Sequence, residues 1–133
     1  MSISAERERA LRTARNYLFV TLSAMLFGAV YEFFSHGVWS YAMVYACAVP
    51  LLLGVLPFLL LGTASREISF PAPAAWLWHT GTEALTLGCV LSGVFAIYGT
   101  ASPLTVWYFA AGGAFLAGAA VLAVFGRRGR QDA

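Results

Sequence analysis

Charge is what this sequence has least of. Six acidic and eight basic residues make 11% of the chain charged, against 60% hydrophobic, whereas soluble domains average about 25% and about 45–50%. That balance excludes a soluble globular domain and leaves an integral membrane protein. Lysine is missing entirely. Every basic residue is an arginine near the end of an apolar segment, so there is no basic patch for nucleic acid to bind. Cysteine is nearly missing as well. Cys47 and Cys89 lie inside apolar runs with no CxxC spacing, which excludes a zinc ribbon or thioredoxin-like motif and reads both as small hydrophobes. With no GxSxG-type nucleophile motif either, no enzymatic activity, metal or cofactor is expected.

What the chain does have is four apolar segments, at about 16–34, 39–62, 74–99 and 104–125. Each is near or above the ~20 residues that a spanning helix needs. The first is longer than a signal-peptide core of about 7–15 residues and no A-x-A-like site follows it, so it belongs to the folded protein. The breaks are Ser35-His36-Gly37, then Thr63 to Pro73, then Gly99-Thr100-Ala101-Ser102-Pro103, all rich in turn formers. Two of them are short, which predicts an all-α membrane protein of two tight antiparallel hairpins. Residues 1–15 form a charged segment that could start as a helix at Ser2 or Ser4 and lie along the membrane surface, and residues 126–133 form a basic tail.

The arginines set an expected orientation. Arg7, Arg9, Arg12 and Arg15 precede the first span, Arg66 separates the second from the third, and Arg127, Arg128 and Arg130 follow the fourth. The short loops carry none, so the positive-inside rule predicts both termini in the cytoplasm, in the cytoplasmic membrane of a bacterium. Trp39, Tyr41, Trp76, Trp78, Tyr98, Trp107 and Tyr108 fall near the expected interfaces, where amphipathic rings anchor helices.

The chemistry is concentrated at the start of the third span. His79 and Glu83, one turn apart, can touch, and ionisable groups inside a membrane are costly enough to be functional candidates. Thr82, Thr86, Cys89 and Gly93 follow at steps of three and four, a polar and small-residue stripe expected to face protein or water. In the transport reading Glu83 is the titrating group near mid-bilayer, His79 relays protons toward the cytoplasm, and Thr82 and Thr86 line the path. In the packing reading Glu83 simply hydrogen-bonds a hydroxyl on a neighbouring helix. A Glu83 facing lipid would end its part in transport. Glu32 and His36 repeat the spacing at the outer end of the first span, where bonding within the turn is the simpler role.

Depth separates His36 from His79 by about 20 Å in a ~30 Å core, which disfavours a haem held by both. Pro50, Gly54 and Pro57 share one face of the second span and predict a kink. Ala110, Ala114 and Gly118, with Gly113 and Ala117 alongside, form a small-residue ladder in the fourth span and predict close helix packing, within the chain or to another copy. The leading functional expectation is a transporter or channel component for protons, a cation or a small solute. It would be oligomeric, because four helices barely enclose a path. One alternative is a non-catalytic accessory or anchoring subunit of a larger membrane complex. The other is an electron-transfer unit associated with quinone or haem.

Overall fold

The computed structural model describes residues 3–63 and 71–131, with side chains described from Ser4 to Thr63 and from Pro71 to Gly126. Ser2 and Arg66 lie outside the described residues, as do the side chains of Arg127, Arg128 and Arg130. All elements described are helical: α1 (Ile3–Phe34), α2 (Tyr41–Pro50), a π segment (Leu51–Val55), α3 (Leu56–Thr63), α4 (Ala72–Ile97) and α5 (Thr105–Gln131). The α2, π and α3 pieces follow one another without a break, so four helices are long and apolar enough to cross a membrane.

Helix α1 starts at Ile3 rather than near Asn16. The charged segment is therefore continuous with the helix of the first span, and Ser4 occupies a helical position in it. Residues 5–15 are mostly Ala, Glu, Arg and Leu, all strong helix formers, and Arg12 pairs with Glu8 at 3.0 Å across one turn. Helix α4 starts just after Pro71, with Pro73 in its first turn, where the missing N–H would have had no helical partner. The turns at the far end use left-handed backbone at His36 and Gly37 after α1, and at Gly99 after α4.

One face of α1, carrying Ala14, Tyr17, Thr21, Ala24 and Gly28, is buried against the α2–π–α3 rod. Those positions recur at three and four residues, as a single packed helix face requires. Helix α4 buries Thr82, Thr86, Cys89 and Gly93 on the side of that rod, with Gly93 close against Met43, and buries Gly81 and Gly88 against α5. Contacts of Leu77 with Gly118, Gly81 with Gly112 and Gly88 with Tyr108 show α5 descending as α4 rises. Among the described helices α5 touches α4 alone, and α1 and α5 do not meet.

The result is an open arrangement rather than a closed four-helix barrel. Large apolar side chains such as Leu26, Phe33, Phe34, Trp107 and Phe125 point outward, the inverse of a water-soluble surface and the pattern that lipid accommodates. The buried cluster is small and centred on Ala14, Tyr17 and Phe58, with Val55, Leu61 and Trp78 around it.

Candidate functional site

Three rings from three helices meet near the end at which α4 begins. His79 of α4 stacks on Phe58 of α3, with ring centres 5.1 Å apart, and on Tyr17 of α1 at 5.5 Å. Tyr17 and Phe58 lie 6.0 Å apart and nearly parallel, within the range in which aromatic contacts add stability beyond their area. The Tyr17 hydroxyl and His79 Nδ1 are hydrogen-bonded at 2.6 Å. Tyr17 donates when His79 carries its proton on Nε2. The Tyr17 ring fits because position 54 is glycine: a β-carbon there would collide with the ring itself. Gly54 was expected to bend the helix, and its placement against Tyr17 gives it a second use.

The neighbouring residue Trp78 makes the other tie. Its indole Nε1 donates to the Leu53 carbonyl at 2.7 Å. In a regular α-helix that carbonyl would receive the N–H of residue 57, but residue 57 is proline and has none. The chain widens to a π segment at this point, between Pro50 and Pro57, and a side chain from α4 satisfies the exposed acceptor. The predicted kink is thus a π segment braced from outside. Trp78, expected as an interfacial anchor, turns inward, while Trp39, Tyr41, Trp76, Tyr98 and Trp107 stay exposed. Adjacent residues of α4 therefore reach different neighbours, Trp78 the α2–π–α3 rod and His79 both that rod and helix α1.

The polar stripe divides. Thr82 and Thr86 are buried, and their hydroxyls donate to the carbonyls one turn back, Trp78 at 2.9 Å and Thr82 at 2.8 Å. Those protons are used within α4 itself. Glu83, in contrast, is exposed on the opposite side with Trp76 and Leu87. The expected contact between His79 and Glu83 is not made: His79 turns to Tyr17, and Glu83 has no hydrogen bond or ion pair among the described residues. The reason is angular. Positions four apart differ by about 40° around a helix, enough here to put His79 at the contact with α1 and Glu83 beyond it.

At the far end, Glu32 and His36 do not pair either. His36 bonds the Phe34 carbonyl at 2.8 Å within the turn, and the single Ser35 hydroxyl proton is shared between the Glu32 and Val38 carbonyls, each 2.8 Å from Oγ. One carboxylate oxygen of Glu32 is buried without a partner. The expected ladder on α5 also faces away from the chain. Ala110, Gly113, Ala114 and Ala117 are exposed, and only Gly118 approaches α4. The close approach is made instead by Gly112 against Gly81. Among the described residues no three His, Cys, Asp or Glu side chains converge.

Sequence reasoning missed Tyr17, Phe58 and Gly112. A signal existed only for the Trp78 tie, since a proline at 57 announces an unpaired acceptor at 53. Compared with known proteins, the chain matches no family model, no curated protein and no solved structure.

Proposed function

We propose that this chain is a component of a membrane transporter or channel for protons, a cation or a small solute, with Glu83 as the titrating group at a contact between chains. In this reading two antiparallel hairpins stand in the cytoplasmic membrane with both termini inside, as the arginine distribution favours. The observation that carries it is the position of Glu83, eleven residues into a 26-residue helix and therefore about 16 Å along it, near mid-bilayer. A carboxyl group held there is expensive and calls for a function. The interior is filled by the Tyr17–Phe58–His79 stack and by threonine hydroxyls already bonded to backbone. A path through one chain past His79, Thr82 and Thr86 is therefore not the form proposed. A seam between chains is, and there Glu83 no longer faces lipid.

Flux into reconstituted vesicles tests the reading. Glu83→Gln keeps the shape and the hydrogen-bonding capacity but cannot titrate, so flux should be lost while expression and insertion persist. Transport at the wild-type rate by that variant would sink the proposal. A second reading, an accessory or anchoring subunit, is favoured by one observation: among the described helices α5 touches α4 alone, and most of its described side chains are exposed. Purification in mild detergent separates the two, because an accessory subunit brings a different membrane protein with it.

A further inference from the structure

Of the exposed polar groups in the spans that have no hydrogen bond among the described residues, two are set at comparable levels on neighbouring helices. Glu83 on α4 is one. Ser23 on α1 is the other, exposed and, like Glu83, without a hydrogen bond among the described residues. Their relative depth follows from the Tyr17–His79 bond, which fixes a common level for α1 and α4. Both helices run from that level toward Met43, which meets Gly28 of α1 and Gly93 of α4. Glu83 is four residues beyond His79 and Ser23 is six beyond Tyr17, so at ~1.5 Å per residue they sit about 6 Å and about 9 Å further along.

We infer that the stripe Trp76–Glu83–Leu87 is a docking surface for a second copy of this chain, whose Ser23 hydroxyl donates to the Glu83 carboxyl. The inference rests on the proposed seam and names its occupant. Two copies inserted the same way keep identical residues at identical depth, so the partner's serine arrives about 3 Å from the level of Glu83 by the Tyr17–His79 contact and about 7–8 Å from it by the Met43 contact, a gap that the length of the glutamate side chain and the tilt of crossing helices can close. Unmet polar groups in hydrocarbon draw helices together, since lipid offers no hydrogen bond in exchange. Because each chain carries both the donor and the acceptor, the contact is used twice about an axis normal to the membrane, or handed on around a ring. The open side of α4 leaves room for it, because α1 and α5 flank α4 without touching each other.

Cross-linking in membranes tests this on the full chain. With Cys47 and Cys89 replaced by alanine, Leu87→Cys in one tagged copy and Leu26→Cys in a differently tagged copy should cross-link. Both positions are exposed, one turn beyond Glu83 and three residues beyond Ser23. Leu87→Cys paired with Val121→Cys on α5 should not. Photobleaching of single particles in nanodiscs gives a second measure with the native cysteines kept. Glu83→Gln should associate as wild type does, and Glu83→Leu and Ser23→Ala should each weaken association about three- to twentyfold for each interhelical hydrogen bond lost, which is about eight- to three-hundredfold where a two-fold pair loses both. Wild-type chains that stay single, or a Leu26–Leu87 yield no higher than the α5 control, would overturn the inference. Association without flux leaves the docking surface standing and removes the transport reading, whereas flux from single chains overturns both the docking surface and the seam between chains.

Discussion

Gly54 and Gly113 are the same residue with opposite surroundings. A β-carbon at 54 meets the Tyr17 ring directly, while one at 113 finds no atom within 4 Å. Gly54→Ala should lower stability by about 1–3 kcal/mol, the usual cost of forcing extra volume into a filled site. Gly113→Ala should change it by no more than about 0.5 kcal/mol. Thermal unfolding in detergent distinguishes them, and equal melting temperatures would mean that the Tyr17 ring yields. The glycines themselves are plain in the sequence, but their neighbours are not. Position 54 faces a ring 37 residues earlier, and no periodicity along one helix reports what another helix brings against it. His79 was singled out for its chemistry, yet its partner Tyr17 reads on its own as one more aromatic residue near a membrane surface.

At the scale of elements, the α2–π–α3 rod shows how a defect in one helix becomes a bond to another. Pro57 leaves the Leu53 carbonyl without its helical donor, and Trp78 replaces it. Trp78→Phe in the native chain should therefore cost about 1–3 kcal/mol for the acceptor left unpaired. In a Pro57→Ala background, where residue 57 regains an N–H, the same change should cost clearly less. A double-mutant cycle by thermal or denaturant unfolding reads the difference, and strict additivity would show that the carbonyl does not depend on the indole. The two prolines made an irregularity here legible in advance, and a π segment is the form it takes. The α5 ladder was legible as composition but not as direction, because α5 is rich in small residues all the way round and hydropathy cannot say which side faces α4. Gly112, the position that does, differs from Gly113 by one step in sequence and about 100° around the helix.

For the whole molecule, the four spans were readable because hydropathy is a local sum over about twenty residues and needs no knowledge of neighbours. Which helices touch depends on contacts between distant residues, and there the open arrangement, with α5 on one neighbour and Glu83 outside, departs from the expectation of an inward polar path. The orientation expected from the arginines is open to a direct test. A membrane-impermeant thiol reagent added to intact cells should label Thr100→Cys, in the turn after α4, and spare Arg9→Cys, near the start of α1. The opposite pattern would invert the molecule. One feature of the fold bears on mechanics. Helix α1 is unbroken for 32 residues, roughly 48 Å, against a hydrocarbon thickness of about 30 Å. The rod is thus about 18 Å longer than that layer, with Arg12 and Glu8 near one end of it and the Tyr17 contact closer to its middle. In a rod of 32 residues the Tyr17–His79 contact lies 14 residues from the described start of α1, about 21 Å along it, so the charged end and the contact belong to one continuous helix.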